Sequence, residues 1–269
     1  MGTKFQKAIN VVLPALEAMK KNNLHLTAHP ESVEALRQAQ VLASQPSVKI
    51  SAETPLQKSI VGTSEEKTAL LEKLRPSVLA CTQCAHLVAC RHNVVFGIGN
   101  PQARLMFVGE APGADEDAKG EPFVGRAGQT LTKIIQAMGL SRSEVYIANI
   151  LKCRPNMPEG ESGNRKPVPA EMATCLPWLL QQIEIIKPEV MVALGSTAVQ
   201  GLTGNETPIG RLRSHWLDFR GIPLMPTYHP AYLLHNSSNT EKRKVWEDML
   251  QVLEKLAMPI SEKQRAFFK

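Results

Sequence analysis

The sequence lacks any apolar run near the roughly 20 residues that a helix needs to cross a bilayer, which excludes a helical membrane span. Its opening stretch, MGTKFQKAINVVLPALEAMKK, is too interrupted by charge and Pro to serve as a secretion signal. A cytoplasmic location is therefore expected, at the nucleoid if the source is bacterial. Internal repeats, low-complexity tracts and a basic tail are all missing. Aromatic residues are scarce at 5%, yet 43% hydrophobic residues in a chain of 269 can bury a full α/β core with room for an appendage. The net charge of +6 divides evenly. Residues 1–64 carry seven Lys/Arg against four Glu, and the remainder carries 24 against 21 Asp/Glu. Such a charge fits a polyanionic partner without demanding one. Its local sources are Lys152–Arg154, Arg165–Lys166 and Arg211–Arg213.

Cysteine is sparse too, with five in all. In a reducing compartment so few are better suited to ligation than to disulfides. Cys81, Cys84, Cys153 and Cys175 give the pattern C-x2-C-x68-C-x21-C, which is not the compact spacing of a zinc finger or ribbon. A long excursion between ligands suits a cluster that ties domain edges together, and iron–sulfur clusters take four thiolates. The competing reading makes Cys153 and Cys175 buried small hydrophobes and leaves an isolated pair. Cys90 is the spare, expected to pack.

Residues 4–21 and 31–45 have helical periodicity, and 46–64 carry the Pro, Ser and Thr of a linker. Residues 1–64 form an accessory segment: a helical hairpin, or a stretch that orders only on meeting a protein partner. From 65 to 258, apolar runs at Leu105–Val108, Val145–Ile150, Glu189–Leu194 and Ile222–Pro226 alternate with helical stretches at 128–138, 170–186, 196–202 and 240–257. This alternation predicts an α/β domain with a parallel sheet and helices on both faces. Residues 259–269 are a tail.

GEAPG follows the first run, NILKCRP ends the second, LGST follows the third and TYHPAYLL the fourth. All four motifs thus fall at carboxyl ends of strands, where open α/β sheets bind ligands. The loop GEAPGADEDAKGEPFVGRAG has neither GxGxxG nor GK[ST], so it is no phosphate loop of those kinds. Its acids Glu110, Asp115, Glu116 and Asp117 could orient a water or stabilise a developing cation, or could be a solvated turn. Phe123 is a core plug or a stacking platform. Asn149 ends an apolar run, where a buried amide braces a turn or reads a ligand with paired donor and acceptor. His229 is a turn residue or a polarising donor. Leu233 and Leu234 form an apolar tip that packs inward or wedges into stacked bases.

Together these segments resemble, in order, the motifs of the family 4 uracil-DNA glycosylases, the iron–sulfur members of their superfamily. The motifs are C81-x2-C84, VVFGIGNPQARLMFVGEAPGADEDAKGEPFVGRAG, VYIANILKCRP, Cys175-Leu-Pro, VALGSTA and TYHPAYLL. The resemblance covers about residues 78–250. It implies a three-layer αβα sandwich with a central four-stranded parallel sheet. A [4Fe–4S] cluster would sit on Cys81, Cys84, Cys153 and Cys175. Uracil would bind at Gly109, Glu110, Ala111, Phe123, Asn149 and His229. Two departures stand out. The stretch NMPEGESGNRKPVPAEMAT is a few residues longer than usual, and it lacks the His of the branch that cross-links to DNA.

The implied activity is hydrolysis of the N-glycosidic bond of a flipped-out uracil in DNA, leaving an abasic site. Leu233 or Leu234 would fill the gap in the duplex and Phe123 would stack on the base. Asn149 matches uracil O4 and N3–H. His229 would donate to O2, and Glu110 or Glu116 would stabilise the sugar cation or hold the attacking water. Glu116 near uracil C5 would exclude thymine. The cluster would position basic residues such as Lys152 and Arg154 for phosphate. A non-catalytic nucleic-acid-binding protein with zinc or a cluster is the alternative, and an electron-transfer iron–sulfur protein a third. A monomer is the default.

Overall fold

The computed structural model describes residues 63–269 except 159 and 162. The accessory segment expected at the amino-terminal end lies, up to residue 62, outside the described residues. Thr63 caps the first described helix. Its hydroxyl accepts from Glu66 N (3.2 Å) while the Glu66 carboxylate accepts from Thr63 N (2.8 Å), a reciprocal capping box.

Six strands form one sheet: β1 Ile98–Gly99, β2 Leu105–Gly109, β3 Tyr146–Asn149, β4 Val190–Leu194, β5 Leu217–Phe219 and β6 Ile222–Thr227, ordered β1-β3-β2-β4-β6-β5. The central four, β3-β2-β4-β6, are parallel, as expected. The structure adds two short antiparallel edges, β1 beside β3 and β5 in a hairpin with β6. The helices are α1 Ser64–Leu79, α2 Ala85–Val88, α3 Ala114–Lys119, α4 Arg126–Ala137, α5 Pro169–Ile186, α6 Ser196–Thr203, α7 Ile209–Leu212, α8 Tyr232–His235, α9 Asn239–Lys255 and α10 Glu262–Ala266.

Why the sheet is covered on both faces follows from its strands. Every residue of β2 and β4 is buried, the unbroken apolar pattern of strands enclosed on two sides. Alternation then divides them. Met106, Val108, Tyr146, Ala148, Met191 and Ala193 pack with α1, α5 and α6. Leu105, Phe107, Ile147, Val190 and Val192 pack with α4 and α9. The result is an αβα sandwich.

β3 lies on one side of β2 and β4 on the other, so the crossover from β2 to β3 runs one way and the next, from β3 to β4, returns past β2. A crevice opens beyond the carboxyl ends of the strands at such a reversal. Gly109 and Asn149 are register partners at that end. Ile150 N donates to Gly109 O (3.0 Å) and Leu151 N to Glu110 O (3.1 Å), which locks the two strand ends together.

Candidate active site and cysteine centre

At that crevice is a cavity of about 260 Å³ lined by Glu110, Ala111, Gly113, Glu116, Phe123, Asn149 and His229, with Asn164 and Arg165 among its other walls. Residues 110–127, 149, 164–165 and 229–231 therefore meet: three of the four strand-end motifs reach the cavity as expected, whereas LGST does not line it and meets Glu110 from behind through Thr197. The volume suits a small planar molecule.

Gly109 makes the crevice possible. A Cβ there would lie 2.7 Å from Phe123 Cε2 and collide with Asn149 Oδ1. Phe123 is held in the left-handed region at φ 54, a conformation costly for an aromatic residue and kept only where its surroundings impose it. Those surroundings are explicit. Arg142 Nη2 donates to Pro122 O (2.9 Å). Gly128 lets α4 approach so closely that any Cβ would overlap the Phe123 carbonyl. Glu116 Oε1 accepts from Val124 N and Gly125 N (both 2.9 Å), and its Oε2 accepts from Gly113 N (3.1 Å). Both carboxylate oxygens of Glu116 thus brace the loop that presents Phe123.

The Phe123 ring lies 5.7 Å from that of His229, tilted by 32°. Nδ1 of His229 accepts from Ala231 N (3.1 Å), so in the neutral ring the proton sits on Nε2. Burial lowers its pKa to about 4, against a smaller opposing pull from Glu116. The imidazole is accordingly a neutral N–H donor near pH 7. Asn149 is 2% exposed, and its Oδ1 is buried with no hydrogen-bond partner. An orphaned amide oxygen is costly in a folded interior. Burial raises the Glu110 carboxyl above its ordinary range, with the Thr197 hydroxyl and Lys166 pulling it the other way.

The remaining acids of the loop are not at the cavity. Asp117 is 1% exposed and accepts from His92 N (3.0 and 3.1 Å) and Asn93 N (3.3 Å), with His92 Nδ1 at 2.6 Å. Asp115 sits against Gly125. Leu233 is buried at 9%, whereas Leu234 beside it is partly exposed.

Several basic residues also differ from expectation. Lys152 is 1% exposed and donates to Gln182 Oε1 (2.6 Å) inside the core, so it cannot meet a phosphate at the surface. Its flanks Leu151 and Cys153 are buried with it. Arg213 is bound to Asp248 (Nη2–Oδ1 2.9 Å) and to Lys244 O. Arg165 donates to Asn156 O (2.6 Å), Asn156 Oδ1 (2.8 Å), Lys166 O (3.0 Å) and both oxygens of Glu171 (2.6 and 2.9 Å). It therefore shapes the loop after Cys153 and brings Asn164 to the cavity. Neither residue's place there was read from the sequence, where the prolines and glycines of 155–169 mark a bend but not its direction. Lys166 and Arg211 remain exposed and Arg154 half-exposed.

The four expected cysteines line one cavity, with Leu87, Leu151 and Arg91 around them. Cys84 caps α2, Cys153 follows β3 and Cys175 lies in α5. Arg91 Nη1 donates to Cys153 Sγ (3.1 Å) and Lys152 N to Cys175 Sγ (3.2 Å). Burial pushes Cys175 up to about 11 and raises Cys84 and Cys153, with neighbouring thiolates adding to each. A cationic centre would offset that repulsion. Among the described residues no three His, Cys, Asp or Glu side chains are grouped as for a single metal ion. Cys90 is exposed rather than packed.

A family model described as the uracil DNA glycosylase superfamily matches residues 96–250. A Thermotoga maritima protein named Type-4 uracil-DNA glycosylase is 46% identical over 182 residues, 67% of this chain and 91% of that protein. The Archaeoglobus fulgidus protein of the same name is 38% identical over 64% of this chain and 87% of its own length. A Type-5 uracil-DNA glycosylase of Thermus thermophilus is 29% identical over 66% of this chain and 92% of its own length. The strand-end motifs that meet at the cavity all fall within the matched residues, and the chain belongs to the uracil-DNA glycosylase superfamily.

Proposed function

We infer that the protein is a uracil-DNA glycosylase that releases uracil from DNA and leaves an abasic site. The observation that carries this reading is the unpartnered Asn149 Oδ1 at a cavity that also holds an aromatic face and a neutral imidazole N–H. Uracil presents an N3–H to such an acceptor and an O4 to the amide N–H₂; cytosine presents the opposite pattern at both atoms.

Inside a duplex the glycosidic bond is out of reach, so the nucleotide must turn out of the stack at a cost of about a few kcal/mol. Leu234, the more accessible of the two tip leucines, would fill the gap. Phe123 stacks on the base and the Asn149 amide fixes it. As the bond lengthens, negative charge grows on uracil O2 and positive charge on the sugar. His229 Nε2–H, already neutral and held by its other nitrogen, donates to that oxygen without giving up its proton. Glu110 faces the opposite charge: it holds the attacking water or the sugar cation. Glu116 acts through the Phe123 loop and borders the cavity, where it would exclude the thymine methyl group. Lys166, Arg154 and Arg211 are the phosphate contacts, so binding weakens steeply with salt.

The cysteine cavity fits a [4Fe–4S] cluster: four thiols from three segments, apolar walls, and N–H donors directed at sulfur, which are the usual tuning contacts of such sites. When bound, the cluster would supply a four-point cross-link between the approach to α2, the end of β3 and α5.

The test is excision from an oligonucleotide with a single uracil, scored by alkaline cleavage. Asn149→Ala and His229→Ala should each lose about 10²–10³ in rate, and a thymine strand should stay intact. No cleavage at uracil by iron-loaded protein would sink the reading and favour the non-catalytic binding protein.

A further inference from the structure

A second cavity, of about 330 Å³, lies outside the uracil site and has no part in the chemistry above. It is lined by Thr130, Lys133, Ile134 and Ala137 of α4, Leu233 of α8, Lys242, Val245 and Trp246 of α9, and Phe268. Its floor is apolar. Two lysines stand in its wall, and neither has a carboxylate partner among the described residues.

The groove is built rather than incidental. One wall is the chain's last stretch, fixed by main-chain oxygens. Trp246 Nε1 donates to Gln264 O (2.6 Å), and Arg243 Nη1 donates to Arg265 O (3.0 Å) and Phe267 O (2.9 Å). Gln264 Nε2 reaches Ala137 O on α4 (3.0 Å). Phe267 packs on Trp246 with ring centroids 5.3 Å apart. With Phe267 turned inward, Phe268 is left at the rim, 39% exposed. An apolar trough with an exposed aromatic and unpaired cations at its edge is the complement of an acidic, apolar chain segment.

We propose that this groove docks a peptide segment of a partner protein that carries carboxylates beside two or three large apolar side chains. The apolar residues fill the trough over Trp246, Ile134 and Val245, and the carboxylates meet Lys133 and Lys242. DNA is a poorer occupant, because phosphates have no use for an apolar floor. The chain's own residues 1–64, with seven Lys/Arg against four Glu, carry the wrong charge. Because Leu233 lines the groove while Leu234 follows it in α8, an occupant would sit against the back of the segment assigned to the duplex gap. The site would then bring the enzyme to a partner already at the DNA.

Fluorescence anisotropy of the full-length protein with a labelled octapeptide of five Glu, two Leu and a terminal Phe tests this. Saturable binding is expected. It should be absent for the same peptide with Ser at the three apolar positions, and weaker by about tenfold or more in Lys133→Glu/Lys242→Glu. Ala137→Trp, which fills the trough, should abolish it. Uracil excision by the lysine double variant should stay within about twofold of the parent, which also shows that it folds. Equal binding of both peptides, or parental affinity in the double variant, overturns the proposal. So does displacement of the peptide by uracil-free duplex, or loss of excision in the folded double variant, since either assigns the lysines to DNA.

Discussion

At the scale of single residues, the site depends on what is missing at position 109. Gly109→Ala would place a methyl group where Phe123 and Asn149 Oδ1 now sit, displacing the ring and the amide proposed to hold the base. Excision should fall by about 10²-fold, the usual consequence of a misplacement near 1 Å, while the far-ultraviolet circular dichroism stays parental. A second prediction concerns pH. His229 has its pKa lowered to about 4 and stays neutral through the working range, whereas burial raises Glu110. Falling pH therefore protonates Glu110 first, and the acid limb of kcat/KM belongs to it. Glu110→Gln should leave a slow rate that is flat down to about pH 5, and His229→Gln should keep the limb; a limb near pH 6.5 that vanishes only in the histidine variant would reverse these roles. Asn149 was legible in the sequence because an amide at the end of an apolar run needs a reason. Lys152 was not, since its partner Gln182 comes from α5 and nothing local distinguishes a buried lysine from an exposed one.

Among the elements, the loop between Cys153 and α5 is held less by its own sequence than by one carboxylate. Glu171 is 2% exposed, and Arg165 holds its pKa down to about 2, with His86 Nε2 (2.7 Å) and Val168 N (2.8 Å) contributing. The single side chain joins the start of α5, the loop bearing Asn164, and α2 with its C-x2-C motif. Glu171→Gln should lower stability by about 2–3 kcal/mol through weakened charge-assisted bonds, read from the urea midpoint. It should also open residues 156–168 to proteolysis. A parental midpoint would show that the loop holds itself. The parallel strands were legible as unbroken apolar runs and the main helices because each carries several periodic apolar positions. The edge strands β1 and β5, at two and three residues, are too short to have a period. Arg165 was read as a phosphate contact because its partner Glu171 lies six residues on, past a proline-rich bend.

For the molecule as a whole, the cysteine centre spans the active-site unit: residues 85–152 lie between its second and third thiols, and both β2 and β3 are among them. A cross-link closing so long a loop is worth about 3–5 kcal/mol by chain-entropy reasoning, or roughly 10–15 °C in Tm for a domain of this size. Cys81→Ser, or removal of iron by a chelator under oxidising conditions, should abolish absorbance near 400 nm and lower the melting temperature by about that amount. Retention of the colour in the variant would remove Cys81 from the ligand set. Both parts of this prediction are read without any DNA present.

The short strands at the sheet margins have a consequence for how molecules meet one another. Parallel strands of continuous apolar residues would, if left at a boundary, present a hydrogen-bonding template to a neighbouring copy. Here β1 and β5 occupy those boundaries, run the opposite way to the strands they cover, and end after two and three residues. Each offers too little unpaired backbone to seed a growing ribbon. Copies of the protein can therefore crowd together without polymerising along their sheets.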